Sequence, residues 1–161
     1  MKMFAGRRQI LAFGIVALAA CLFVSRAEPQ DPNLPSTYGS VTLKAGFLPD
    51  PFSKQLLAGG PIKTNLGGVG AYVAKAPDFK LNYTAGKFVL TIHAVSSEDT
   101  TLLINLPDGT WVANDDRAPG NLNPLLRFNK PQSGRYDIYV GTFKQGITPK
   151  TTLYITELEV K

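Results

Sequence analysis

Beyond residue 37, apolar and polar positions alternate with a period of two, the signature of half-buried strands. The longest run spans residues 88–95, with Phe88, Leu90, Ile92 and Ala94 on one face and Val89, Thr91, His93 and Val95 on the other. Leu102, Ile104 and Leu106 repeat the pattern, as do Tyr136, Ile138 and Val140 against Asp137, Tyr139 and Gly141. Shorter runs lie at residues 41–43, 55–57, 71–73, 79–83, 110–113 and 125–128, and residues 151–160 close the chain. Turn formers separate them, among them Gly46, Gly59-Gly60-Pro61, Gly67-Gly68, Gly86 and Ser133-Gly134. Pro107-Asp108-Gly109 predicts a hairpin between residues 102–106 and 110–113: Pro fixes φ, Asp tolerates the left-handed region and Gly permits positive φ. No stretch carries a convincing helical period. About eight or nine strands at spacings of about ten residues predict an all-β, jelly-roll-type antiparallel β-sandwich, with Tyr136, Ile138 and Val140 in its core.

The first 27 residues follow another plan. Residues 1–9 hold three cations, residues 10–24 are apolar apart from Gly14 and Cys21, and Ser25-Arg26-Ala27 places small residues before Glu28. That layout predicts an export signal peptide with a helical apolar segment. The run of about 15 apolar residues is shorter than the roughly 20 of a membrane span, so a retained anchor is the lesser reading. Leu18-Ala19-Ala20-Cys21 also resembles a lipobox, in which Cys21 would be acylated and hold the protein at a membrane. Against this, Leu22-Phe23-Val24 continues the apolar run past the cysteine. Arg7-Arg8 resembles a twin-arginine signal as well as an ordinary one. Residues 28–37, with Pro29, Pro32 and Pro35, read as an extended linker, and residues 38–161 as one β-sandwich domain.

Composition narrows the function classes. The formal charge is +5, but Lys2, Arg7, Arg8 and Arg26 account for four of the 17 cations; the remaining 13 face 12 acids, so the mature domain stands near +1. Nucleic acid is therefore not an expected partner, since a basic footprint must lie on the folded domain. Cys21 is the only cysteine in the sequence. Cleavage after Ala27 removes it, which excludes an intrachain disulfide, a thiol nucleophile and a cysteine zinc site. Export then places the domain in the periplasm or outside the cell, held by its core or by a metal.

One resemblance adds to this reading. Residues 99–109 (Asp-Thr-Thr-Leu-Leu-Ile-Asn-Leu-Pro-Asp-Gly) are followed by Asp115-Asp116, Asn123-Pro124 and residues 133–140 (Ser-Gly-Arg-Tyr-Asp-Ile-Tyr-Val). The order resembles the bacterial pre-peptidase C-terminal (PPC) domain family: an acidic strand entry, a Pro-Asp-Gly hairpin, an acidic loop and a Gly-x-Tyr strand. Tyr83-Thr84-Ala85-Gly86 and Thr152-Leu153-Tyr154-Ile155 fit its strand order, and the resemblance covers residues 78–157. It implies a jelly-roll sandwich found beside secreted proteases and acting as an adhesion or substrate-binding module, in some members with calcium. The family often places a second acid two residues after the first, where this chain has Thr101.

The residues carry little that resembles catalysis. His93 is the only histidine, set mid-strand, and no Gly-x-Ser-x-Gly or Gly-Asp-Ser-Gly segment accompanies it. A peptidase-associated or hydrolytic protein is one alternative to a binding or structural module; a self-assembling envelope or matrix protein is another. For a metal, Asp99, Asp115, Asp116 and Asn123 form the expected calcium ligand set, with Asp108 and Asn121 nearby in sequence. Calcium takes about 6–8 oxygens from carboxylates, amides and carbonyls. The competing reading makes them ordinary turn formers, with Arg117 neutralising the Asp pair. Trp111, Tyr139, Phe143 and Tyr154 are candidate ligand-facing aromatics for an unidentified protein or polysaccharide, and equally candidate core residues. A membrane enters only through Cys21 or a retained signal.

Mass spectrometry of the mature N-terminus separates the export readings. Glu28 as the first residue is the expected result; an acylated Cys21 would instead make this a lipoprotein.

Overall fold

Alternation and turn chemistry settle into strands along the computed structural model, which describes residues 30–160. In chain order the strands are β1 (Ser40–Lys44), β2 (Phe52–Leu57), β3 (Ile62–Thr64), β4 (Ala71–Val73), β5 (Phe79–Thr84) and β6 (Leu90–Ser96). Then follow β7 (Thr100–Asn105), β8 (Trp111–Asn114), β9 (Leu125–Phe128), β10 (Gly134–Thr142) and β11 (Lys150–Thr156). The signal segment, Cys21 within it and the first two residues of the Pro-rich segment lie outside the described residues.

The strands form an all-β fold of two sheets. The larger runs β1-β5-β10-β7-β8, with β4 and then β3 joining β10 beyond β5; the smaller is β2-β11-β6-β9. Every pairing is antiparallel except β1 with β5. Eleven strands among the described residues exceed the expected eight or nine. The strand for which the sequence shows no run is β3, three residues long after Gly59-Gly60-Pro61 and too brief to show a period, whereas β4 coincides with the run at residues 71–73.

The core lies between the sheets. Leu81, Ile104, Ile138 and Val140 come from the larger sheet and Leu90, Ile92, Leu153 and Ile155 from the smaller, all fully buried. Tyr136 joins them, its ring edge-on to Phe128 with centroids 5.7 Å apart and its hydroxyl donating to the Gln132 carbonyl. The expected face of β6 holds for Leu90, Ile92 and Ala94 but not for Phe88. The chain bends at Lys87-Phe88, β6 begins at Leu90, and Phe88 is left 41% exposed. The last strand also stops short of residue 160. The chain bends after Thr156, where Asp50 accepts hydrogen bonds from the Thr156 hydroxyl and the Glu157 amide.

A second apolar cluster lies on the outer face of the larger sheet, where β4 and the turn at Leu66–Gly68 fold over β7, β8 and β10. Gly60 is required nearby, because a Cβ there would lie 2.1 Å from the Val73 carbonyl carbon. The Pro-rich segment also lies against the sandwich. Asp31 N donates to Lys75 O, Thr37 N to Pro77 O and Tyr38 N to Asp78 O, and Gln30 is buried. The Pro107-Asp108-Gly109 turn joins β7 to β8 as the sequence predicts, with Gly109 at φ 84°.

Ile138→Ala should cost about 2–5 kcal/mol, from lost burial and the cavity left behind. Gly109→Ala should cost about 1–2 kcal/mol, from the left-handed backbone alone, since open space surrounds it. Gly60→Ala should cost more than Gly109→Ala, because strand β4 must move. Urea unfolding of the three variants measures the order; a neutral Gly60→Ala would mean the β4 excursion packs elsewhere.

Candidate functional site

The hairpin that begins at the Pro-Asp-Gly turn decides where the acids go. Its register pairs Asn105 with Trp111 and Leu102 with Asn114. Extending that ladder past Asn114 carries Asp115 and Asp116 to the start of β7, where Asp99 waits in the turn from β6. Carboxylate oxygens of Asp99, Asp115 and Asp116 accordingly lie within 4.8 Å of one another. Asp99 and Asp115 are half-buried and Asp116 is exposed. Oδ1 of Asp99 and Oδ1 of Asp115 are shielded from solvent and accept no hydrogen bond.

The electrostatics follow from this crowding. Burial pushes the Asp99 carboxyl up, the Asp116 charge adds to the effect, and Lys144 partly offsets it. Burial also pushes Asp115 up, with Asp99 and Asp116 adding to it. Three like charges in one place favour either protonation or a cation. The donors are hard oxygens without nitrogen or sulfur at the cluster, which suits calcium better than zinc. Three carboxylates offer up to six oxygens, the lower end of what calcium takes.

The fourth expected ligand is committed elsewhere. Asn123 Oδ1 accepts the Ser96 amide at 2.7 Å, and its backbone carbonyl accepts the Arg117 amide at 3.0 Å. The side chain finishes the end of β6, a demand that spacing alone does not reveal. Asn121 caps the same loop, its Oδ1 accepting Asn123 N at 3.2 Å. Asp108 stays at the far end of the hairpin, bonded to Thr110 N at 2.9 Å and Gln132 Nε2 at 2.8 Å. Arg117 reaches across to His93, with Nη2 3.4 Å from Nδ1.

The four aromatics part company. Tyr139 is fully buried, so it faces no ligand: it belongs to the outer cluster, its ring 5.6 Å from that of Trp111. Alternation puts it on the outer face, but β4 and its neighbours cover that face. Trp111 is half-buried on the same cluster. Tyr154 is half-buried and stacks on His93 with centroids 4.9 Å apart. Phe143 is 59% exposed and stands beside the acids, its amide donating to the Asp99 carbonyl at 3.4 Å.

His93 is held as a neutral ring, its pKa lowered to about 4 by burial and then by the Arg117 charge. Its Nδ1 faces a guanidinium donor and its ring faces Tyr154, a packed position on a strand. Asp78 moves the other way. Burial pushes it up to about 7, although the Val140 amide donates to its Oδ2 at 2.7 Å and opposes the shift.

These two groups give pH dependences of opposite sign. The folded state holds fewer protons on His93 than the unfolded chain between pH 6.5 and about 4, so this group makes stability fall on acidification. Asp78 holds more protons folded than unfolded between pH 3.8 and about 7, so it makes stability rise on acidification over the same range. From pH 6.5 to 4 the two largely offset each other, so Asp78→Asn should uncover a fall of stability on acidification and His93→Gln a rise. Denaturant midpoints measured across that range check both; parent-like slopes in both variants would show that neither group titrates as argued.

No family model matches the chain, and no curated protein matches it. Among solved structures it is similar to PliG of Aeromonas hydrophila, a periplasmic lysozyme inhibitor of g-type lysozyme. The identity is 17% and the TM-score 0.38, over 73% of this chain and 96% of that one. Likeness at that level transfers no function to this chain.

Proposed function

We propose that this chain is an exported, non-catalytic binding module of the bacterial periplasm or envelope, a PPC-like sandwich whose acidic loop holds calcium. The observation that carries the calcium reading is the convergence of Asp99, Asp115 and Asp116 within 4.8 Å, with two shielded carboxylate oxygens that accept no hydrogen bond. Without a cation those two shielded oxygens have no donor to offset their lost hydration. Calcium restores both and cancels the repulsion. The module reading rests on the signal-like N-terminus, on the motif order over residues 78–157 and on His93, which packs against Tyr154 and Arg117 instead of orienting a nucleophile. Asn123, in this reading, shapes the loop from behind and does not ligate.

Calcium that binds the folded state alone raises stability by about 2.7 kcal/mol at a hundredfold excess over Kd. The melting temperature should rise by roughly 5–12 °C in millimolar calcium over chelator, and much less in magnesium, which keeps its waters. Asp115→Asn should abolish most of that rise without lowering the melting temperature in chelator, because it also relieves repulsion. Coincident curves in calcium and chelator would leave the three acids as loop formers.

A further inference from the structure

The end of the sandwich that carries the β1–β2 loop holds a surface that the acidic loop does not explain. Residues 45–51 leave β1 and return into β2, and Leu48 at their tip is 89% exposed. Leu158 beside it is 56% exposed and Phe88 41%. With Phe47 they line a groove of about 410 Å³.

The loop is fixed in place. Gly46 N donates to Glu157 Oε2 at 2.8 Å, and the Tyr83 hydroxyl donates to the other oxygen of the same carboxylate. Asp50 accepts from the Thr156 hydroxyl and, at 3.0 Å, from the Glu157 amide. Two carboxylates thus tie the loop to the end of β11 from both sides. An exposed leucine on a loop held this way is pre-organised for contact, because little ordering remains to be done on binding. Large apolar side chains gathered at one exposed place mark an interaction site more often than scattered ones do.

Charge selects the occupant. The groove is lined by Asp50 and Glu157 and by no cation. Glu159, exposed, follows Leu158 directly. Among the described residues the nearby cations lie outside the lining: Lys44 precedes the loop, and Lys87 is drawn over the Phe88 ring, 5.5 Å from its centroid. A second copy of this chain would set a net acidic patch against itself, and an anionic bilayer would be repelled by it. A cationic partner gains from both the apolar walls and the acids.

We propose that this groove docks a segment of a partner protein presenting a bulky apolar side chain beside Lys or Arg. The proposal goes beyond the calcium reading and does not need it, so the experiment is run in chelator. The exported protein, labelled with nitrogen-15, is titrated with two acetylated heptapeptides sharing a Leu-Phe centre, one flanked by Lys and Arg, the other by Asp and Glu. The cationic peptide should shift the amides of Phe47, Leu48, Phe88 and Leu158 saturably, and the acidic peptide should not. Leu48→Ser should weaken the cationic peptide by about tenfold or more, and since Leu48 is exposed the variant should still fold. Glu159→Lys should weaken it too, and added salt should reduce both binding and the gap between the peptides. Absence of binding, equal response to both peptides, or shifts confined to other residues would each overturn the proposal. Groove shifts that follow protein concentration alone would assign the surface to a second copy. Groove shifts with phosphatidylglycerol vesicles and not with peptide would assign it to a membrane.

Discussion

The carboxylate of Asp137 lies under the outer face of the larger sheet, 3.6 Å from Lys80 Nζ and 3.0 Å from Arg135 Nε, with 2% of its side chain exposed. A charge placed there is tolerable only while those partners stay beside it, since an unpaired buried charge costs several kcal/mol. Strand register is what keeps them there. Asp137 faces Lys80 across β5 and Asn105 across β7. A slip of one residue would turn Ile138 outward and Asp137 into the apolar core, so hydrophobic burial on one face and ion pairing on the other fix the same alignment. From β10 the alignment passes to β7, and from β7 through the Pro-Asp-Gly hairpin to β8. The meeting of Asp99 with Asp115 and Asp116 is the far end of that chain of registers.

Because β10 is the central strand, its outer face needs cover as much as its inner face does. The core side is closed by the second sheet. The outer side is closed by β4 and the turn at Leu66–Gly68, which set Ala71, Val73 and Leu66 against Leu103 and Tyr139. Tyr139 is thereby removed from the surface, and its hydroxyl is left buried without a hydrogen-bond partner. Burial raises its pKa, as do the charges of Asp137, Asp31 and Asp78, so the phenol stays protonated. A sandwich sheet covered on both faces no longer displays strict apolar and polar alternation as inside and outside.

That double cover marks the boundary of what the sequence reveals. The inward residues of β6 and β10 were legible because they face a continuous apolar layer, and the hairpin was legible because Pro-Asp-Gly has its own backbone logic. The acid cluster was legible as far as that hairpin's register reaches, which includes Asp99, Asp115 and Asp116. Asn123 was not, since its amide oxygen answers a backbone donor at Ser96, 27 positions away in the chain. Nor was the docking groove. Phe88 reads as a strand residue until the bend at Lys87 turns it out, and Leu48 stands in a loop that Asp50 and Glu157 tie to the end of β11.

The acids of this domain divide by what their oxygens accept, and the division separates scaffold from site. Asp50 and Glu157 tie the β1–β2 loop to β11; Asp78 takes the Val140 amide; Asp108 closes its own turn and holds Gln132. Among the described residues, which include no cysteine, such bonds tie loops and turns to neighbouring strands. Asp99 Oδ1 and Asp115 Oδ1 depart from that pattern: they are shielded, they face like charge, and no donor answers them. If folding alone had set these residues, neighbouring backbone amides or hydroxyls would be expected to turn toward them, as they do toward the other four. Their carboxylates instead converge to within 4.8 Å with that of Asp116, where a proton or a cation relieves the mutual repulsion.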